Sequence, residues 1–503
     1  MKRTLDALKD ETFDLLILGG GITGAGVALD AALRSFRVAV IDKGDFASGA
    51  SSVSSKLIHG GLRYLEHAGF RLVYEALHER QILLQNAPHL VRPLKFVIPF
   101  YKGARMPSWK GRAGLLLYDF LAGSSNLQRS QPLSMRHVER EFPQLHAAGL
   151  EGAAAYFDAQ MDDARLCLEV IKTASEHGAV VANYAEAVAF EKRDGEITGV
   201  RAVDHIGGVE FCIRAHQVLN ATGPWVDSVC RLAGDVAEPH LRPTKGVHLV
   251  APGRGLGVAF LLLHPADGRV FFVIPWIGKT LIGTTDTLCD DTPDNLLVTD
   301  EEVQYLLTGH NQYLNPPLET RDILNTFVGL RPLIRARPGE PSSLSREFKI
   351  FSSPSGLLSV AGGKFTTYRR MAEIITDTVA ERLGRRRRGQ TRHLLLDGAP
   401  RKAWADFART EPIALQSRYR LTGTAARHLV DRYGCRAAEV AAYLAGDLTV
   451  AAPAMSGEPD LAVEFLYQRD HEMALFPADH LLRRTRLGLF HPSLLQKELP
   501  IAG

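Results

Sequence analysis

The sequence predicts an α/β protein in three parts: a parallel-sheet unit at the N-terminus, a second domain built on an antiparallel sheet, and an all-helical C-terminal domain. Three observations carry this. Residues 14–42, DLLILGGGITGAGVALDAALRSFRVAVID, run strand, glycine turn, helix, strand, acid. Between 247 and 285 several strand-like runs follow one another, among them 270–276 and 279–283. From 402 to 490 apolar residues keep helical spacing with charged faces and no β-rich run.

In the first unit, the apolar run 15–18 reads as a buried parallel strand, 22–34 as a helix, and 38–41 as a second strand ending on Asp42. Gly19 permits a tight turn off the strand. Gly21 has no side chain to keep a pyrophosphate away from the helix N-terminus, where free N–H groups and the helix dipole favour negative charge. Gly24 lets helix and strand pack closely. Asp42 lies about 20 residues further on, where a ribose hydroxyl pair needs an acceptor. The unit is Rossmann-like and predicts a bound dinucleotide.

Composition narrows the class. With 503 residues the chain holds two or three cores. Its 59 basic and 56 acidic residues leave a net charge of +3, which gives no nucleic-acid footprint. The five cysteines, Cys167, Cys212, Cys230, Cys289 and Cys435, are scattered and form no CxxC, so neither a disulfide framework nor a metal site is expected. The N-terminal MKRTLDALKDETF lacks an apolar core, so no secretory signal is expected. No run approaches the ~20 apolar residues that span a bilayer.

Along the chain, residues 48–67, SGASSVSSKLIHGGLRYLEH, are dense in hydroxyls and glycine and gather Lys56, His59, Arg63 and Tyr64. A plain helix cap needs neither the Gly60–Gly61 pair nor the cation after it, so the stretch reads as backbone wrapping a ligand. A helix over 70–88 ends at Pro88, and 91–101 is strand-like. Residues 102–121 mix Lys102, Arg105, Lys110 and Arg112 with Trp109 and the apolar run 115–118. That mixture suits either an anionic membrane surface or a basic surface over a core helix.

Residues 162–177 read as a helix and 179–183 as a strand; 187–193, 200–204 and 209–213 read as an antiparallel meander. The strand in 217–225, QVLNATGPW, delivers Ala-Thr-Gly toward a ligand. Lys245 and His248 sit at the entry to the second domain, and 327–337 brings three arginines together. Residues 356–373, GLLSVAGGKFTTYRRMAE, repeat strand, glycine, helix with Lys364, Thr366 and Thr367 at the helix start. The arginine run 385–388 reads as a solvated linker at a helix C-terminus, with lipid contact as the alternative.

Together SSKLIHGGLRYLEH, NATGPW, KGVHLV, FVIPW with IGTTD, GLRPL, GGKFTTYR and DHEMALFPADHLLRRTRLG resemble the FAD-dependent, respiratory sn-glycerol-3-phosphate dehydrogenases, over about residues 12–490. The resemblance implies an FAD-binding domain of the D-amino-acid-oxidase-like type (1–75, 151–232, 320–384), a mixed-sheet substrate domain (76–150, 233–319) and a helical C-terminal domain (385–503). It implies FAD held by Gly19, Gly21, Gly24, Asp42, Ser51, Ser52, Ser55, Leu57, His59, Gly60, Gly61, Thr222, Gly223, Gly362 and Gly363. The substrate would be glycerol 3-phosphate, and its product dihydroxyacetone phosphate. Electrons would pass to a membrane quinone from a protein peripheral on the inner face of the cell membrane, and the resemblance admits a homodimer. No nucleic-acid partner is expected. Asp42 stands where the family often has glutamate, and no long insertion like that of oxygen-using glycerol phosphate oxidases is seen.

Oxidising a secondary alcohol requires removal of its proton and of a hydride from the same carbon. His248 is a natural base, because a base acts neutral. Arg331 and Lys364 suit an oxygen becoming alkoxide-like. Lys364 with a depressed pKa is the alternative base. By resemblance Arg63, Tyr64, Arg346 and Thr366 would hold the phosphate. Three competitors stand beside this reading: an oxidase of another small substrate such as an amine, an FAD-dependent tRNA-modifying protein, and a non-catalytic flavin scaffold.

Overall fold

The computed structural model describes residues 1–235, 239–289, 292–335, 348–385, 387–445 and 451–496. Its first sheet runs, in spatial order, Phe348–Ser352, Leu358–Gly362, Val209–Asn220, Thr12–Leu18, Val38–Ile41 and Val180–Ala182. The last five strands are parallel. Period-two alternation sorts the side chains of Thr12–Leu18. Leu15 and Ile17 join a core with Ala25, Ala28 and Leu29 of helix Ile22–Leu33, Ile171 of helix Asp163–Glu176 and Ile375 of helix Tyr368–Arg382. Leu16 and Leu18 face the opposite core, with Val200, Ala202 and Ile213. Helices therefore cover one face and the meander Ala185–Arg193, Glu196–Asp204 covers the other.

Val209–Asn220 is one strand, although 209–213 and 217–220 read as two. Its first half alternates buried and exposed residues and pairs antiparallel with Glu196–Asp204. Its second half is buried on both faces and runs parallel to Thr12–Leu18. The change in burial within one strand hides its continuity from periodicity.

The second sheet orders Thr287–Leu288, Thr244–Pro252, Lys279–Gly283, Val270–Trp276, Ala259–Leu263, Val91–Tyr101, Leu150–Met161 and Leu57–Ile58, with Asn325–Arg331 also paired to Thr244–Pro252. Ala259–Leu263 lies parallel to Val91–Tyr101, so the sheet is mixed. Helix Asp300–Tyr313 packs on one face through Val303, Leu306 and Leu307. Helices Phe70–Asn86 and Ser108–Ala122 pack on the other through Val73, Leu77, Leu115 and Tyr118.

Three of these strands come from stretches expected in the cofactor domain. Leu150–Met161 pairs with almost the whole of Val91–Tyr101, Leu57–Ile58 pairs with its far end, and Asn325–Arg331 matches residues 244–250 one for one. Pairing across such lengths draws them into the second sheet, so the chain crosses between sheets after 161 and after 331.

The helical domain packs Trp404–Tyr419, Gly423–Tyr433, Ala437–Ala442 and Ala462–Glu472 around Leu415, Leu429, Val430, Val440 and Val463. Beyond helix Pro477–Asp479 the chain returns to the other domains, where Leu489 and Phe490 join the core of the second sheet. Among the described residues no helix is long and apolar enough to cross a membrane. In the arginine run, Arg385 pairs with Asp14 at 2.8 Å and Arg387 Nη1 donates to the Arg34 carbonyl at 3.1 Å. These two are tied to the first domain; Arg386 lies outside the described residues.

Candidate active site

At the carboxyl ends of the parallel strands a cleft of about 800 Å³ opens between the two sheets. Open α/β sheets present ligands there because loops diverge and helix N-termini converge at that edge. Gly19, Gly21, Asp42, Ser51, Ser55, Leu57, His59, Tyr64, Thr222, Gly223, His248, Arg331, Gly362, Gly363, Lys364 and Thr366 all line it.

One end is built for a dinucleotide. Gly19 has φ +103°, and a Cβ there would stand 2.8 Å from the Ala221 carbonyl oxygen, so only glycine fits the turn. At the start of helix Ile22–Leu33 the Ile22 N–H donates to Ser51 Oγ at 2.9 Å, which brings the serine stretch to the helix N-terminus. The Asp42 carboxylate accepts from Gly20 N at 2.7 Å and Gly44 N at 2.9 Å. Burial outweighs those two bonds and pushes its pKa up to about 6.

The other end is built for proton and anion chemistry. His248, on Thr244–Pro252, is buried and stacks on Phe327 with ring centroids 4.8 Å apart and planes 7° apart. Its Nε2 lies 2.8 Å from Ser55 Oγ, and Nδ1 is buried with no hydrogen-bond partner among the described residues. Burial, and then the positive charges of Arg331 and Lys56, hold its pKa well below the usual histidine range. The ring is therefore neutral near pH 7.

Arg331 ends strand Asn325–Arg331. It donates to Thr284 Oγ1 at 2.8 Å and the Thr285 carbonyl at 3.0 Å, and pairs with Asp286 at 3.1 Å. A side chain at Gly246 would strike its guanidinium, so that glycine keeps the arginine's path clear. Lys364 follows the Gly362–Gly363 turn, both glycines at positive φ, and its Nζ lies 3.6 Å from the centre of the Tyr64 ring. A π face favours the charged ammonium. Buried Thr366 accepts from the His59 N–H at 3.2 Å.

Several expected residues serve from outside the lining. Gly24 lets its helix pack on the Gly19 carbonyl, with which a Cβ would collide. The Ser52 carbonyl accepts from Lys56 Nζ at 2.5 Å beneath the wrap. Gly60 N donates to Tyr118 Oη at 2.9 Å, and Gly61, at φ +80°, starts the short helix Leu62–His67 that carries Arg63. Arg337 and Arg346 lie outside the described residues. Lys245 points away from the cleft to Glu302, 2.9 Å distant, because it alternates with His248 across the strand.

Sequence reasoning missed the supports. Lys56 is fully buried on Asp163 at 2.8 Å rather than grouped with His59. Arg80, Asp158 and Tyr118 form a buried network under Gly60, with Tyr118 Oη donating to Asp158 at 2.8 Å. Across the outer mouth, Lys43 pairs with Asp294 at 2.8 Å while Trp225 Nε1 donates to the same carboxylate at 2.9 Å. The one available signal was the Asp162–Asp163 pair at a helix start, where a single acid suffices as a cap.

Fold and cleft define a flavoprotein oxidoreductase of the D-amino-acid-oxidase-like type, with FAD as its cofactor. The chain matches the model of the FAD dependent oxidoreductases over residues 14–378, and that of the C-terminal domain of alpha-glycerophosphate oxidase over residues 389–502. It is 38% identical over 496 residues to the aerobic glycerol-3-phosphate dehydrogenase of Staphylococcus saprophyticus, covering 95% of this chain and 87% of that protein. It is 39% identical over 514 residues to the mitochondrial glycerol-3-phosphate dehydrogenase of Homo sapiens, covering 97% of this chain and 69% of that one. The solved glycerol-3-phosphate dehydrogenase of Bacillus halodurans, complexed with FAD, superposes with a TM-score of 0.81 at 31% identity over 97% of this chain and 89% of that one. The L-alpha-glycerophosphate oxidase of Mycoplasma pneumoniae, 16% identical with a TM-score of 0.59 over 76% of this chain and 97% of that one, shares the fold. The chain belongs to the family of FAD-dependent glycerol-3-phosphate dehydrogenases.

Proposed function

We propose that this protein oxidises sn-glycerol 3-phosphate to dihydroxyacetone phosphate and passes the electrons to a membrane quinone. The observation that carries the reading is the meeting, in one cleft, of a neutral buried histidine with two cations beside a dinucleotide site. When bound, FAD supplies the acceptor for the hydride that leaves carbon 2. It is assigned to Gly19, Gly21, Asp42, Ser51, Ser55, Leu57, His59, Thr222, Gly223, Gly362 and Gly363.

His248 takes the hydroxyl proton, while Ser55 and the Phe327 stack hold the imidazole in place. Lys364, over the Tyr64 ring, and Arg331 stabilise the oxygen as negative charge develops. Tyr64 and Thr366 are assigned to the phosphate together with Arg63 and Arg346, whose guanidinium groups match its geometry.

The membrane assignment is supported by helix Ser108–Ala122. Trp109, Leu116 and Phe120 stand 70%, 68% and 80% exposed along one side, with Arg112 on the same side and Lys102, Arg105 and Lys110 close by in sequence. Exposed apolar side chains with a cation beside them suit the headgroup region of an anionic bilayer. On its inner side the helix carries Tyr118 to the Gly60 turn. This face is assigned to the inner leaflet of the cell membrane.

The acceptor is tested by supplying a short-chain ubiquinone and oxygen together and following glycerol 3-phosphate turnover. Quinol and dihydroxyacetone phosphate in equal amounts, with little hydrogen peroxide, is the expected outcome. Stoichiometric peroxide with idle quinone would instead make the protein an oxygen-using oxidase.

A further inference from the structure

Three arginines near the C-terminal end contact the cofactor domain rather than the core of their own helical domain. Buried Arg484 donates to Asp45 Oδ1 at 2.9 Å and to its Oδ2, and also to the Glu472 carbonyl at 2.6 Å. Arg483 Nε donates to the same carboxylate and is held by Asp479 at 2.6 Å. Asp45 lies three residues after Asp42 in the turn that backs the glycine loop. There Phe46 packs directly on Gly20, and the Ala47 N–H donates to the Gly20 carbonyl at 3.1 Å.

Arg486 works at the other end of the cleft. It donates to Asp162 and, at 3.3 Å, to Asp163. Asp163 accepts from Lys56 Nζ at 2.8 Å and from Ser54 N and Oγ at 3.1 and 2.7 Å. Lys56 stands at φ +59°, and its ammonium also binds the Ser52 carbonyl at 2.5 Å. The residue between Ser54 and Lys56 is Ser55, whose hydroxyl holds His248 Nε2. An unbroken set of contacts thus runs from Arg486 to the imidazole.

Buried ion pairs add little net stability, because desolvation offsets their attraction, but they penalise every other arrangement of the groups they join. Asp45 lies in the turn behind the glycine loop and Asp162 and Asp163 start helix Asp163–Glu176 beneath the serine stretch, while the helical domain has its own apolar core without these arginines. We propose that Arg483, Arg484 and Arg486 are positioning residues that set the shape of the cofactor cleft, making the helical domain a working part of the active site. Arg483 and Arg484 fix the Asp42–Asp45 turn, and Arg486 fixes the serine wrap and through it His248. The proposal rests on the assignment of this cleft to FAD.

The test uses the full-length holoenzyme and the variants Arg484→Gln, Arg486→Gln and Arg486→Lys. For each, three quantities are measured: the FAD dissociation constant, the visible circular dichroism of bound flavin, and turnover of glycerol 3-phosphate per bound flavin. Arg484→Gln is expected to weaken FAD binding about tenfold or more. Arg486→Gln is expected to lower kcat per bound flavin about tenfold with KM within about twofold, and to alter the flavin dichroism; Arg486→Lys should restore much of both. Unchanged dichroism and kcat per flavin in Arg486→Gln, with only a lower melting temperature, would reduce the cluster to a scaffold. Should that variant not fold, Asp162→Asn breaks the contact from the partly exposed side and is judged by the same criteria. A wild-type enzyme that glycerol 3-phosphate does not reduce would overturn the functional reading alone, since FAD affinity and dichroism still judge the arginines.

Discussion

The proposed role of His248 as base requires a neutral imidazole, and burial and two neighbouring cations favour that state. With its pKa well below the ordinary value of about 6.5, kcat/KM should hold level as pH falls from 8 past that value. An acid limb centred near about 6.5 would show a solvated histidine instead. The same shift carries a stability sign. The unfolded chain binds protons that the folded state refuses, so stability is lost as pH drops below the unfolded value. His310 and His480, each lowered to about 4 chiefly by burial, add in the same direction. Urea midpoints measured from pH 8 to 5 should therefore fall. Arg331→Ala should cost about 10²–10³ in turnover while FAD stays bound, as for loss of a charge-stabilising donor. It should also move the acid limb to higher pH, because a cation that disfavours imidazolium is gone. Near-normal turnover would remove Arg331 from the reaction. Gly19, Asp42, His248 and Lys364 were legible because spacing or chemistry marks them. Lys56 was not: a lysine among serines reads as solvated, and only the fold shows it buried on Asp163.

At the scale of elements, helix Ser108–Ala122 has the core side that one reading of its sequence expected, and an exposed apolar side on which the proposed membrane contact rests. Leu115, Tyr118 and Ala122 are core, while Trp109, Leu116 and Phe120 are exposed on its other side. Composition alone merges these two sides, because the segment is apolar on both. Phe120→Glu is expected to abolish flotation with anionic vesicles and leave the anaerobic reaction with glycerol 3-phosphate intact; full flotation would move the membrane contact elsewhere. The opening strand–turn–helix was legible in its order and its turn, since Gly19 and Gly24 are forced by backbone contact. Val209–Asn220 was not, because its exposure pattern changes midway.

At the scale of the molecule, the three-part plan followed from periodicity, but the traffic between sheets did not. Which sheet takes Leu150–Met161 or Asn325–Arg331 depends on partners far away in sequence, and periodicity records only local burial. The return of the C-terminal arginines to Asp45 and Asp163 is equally non-local. The central claim is that one cleft joins FAD to the oxidation of glycerol 3-phosphate. Its most direct test is anaerobic mixing of the yellow holoenzyme with that substrate while the flavin band is followed. Complete bleaching by glycerol 3-phosphate, with one dihydroxyacetone phosphate formed per flavin and no bleaching by glycerol or amino acids, is the expected result. A flavin left oxidised by glycerol 3-phosphate, or bleached by an amino acid instead, would contradict it.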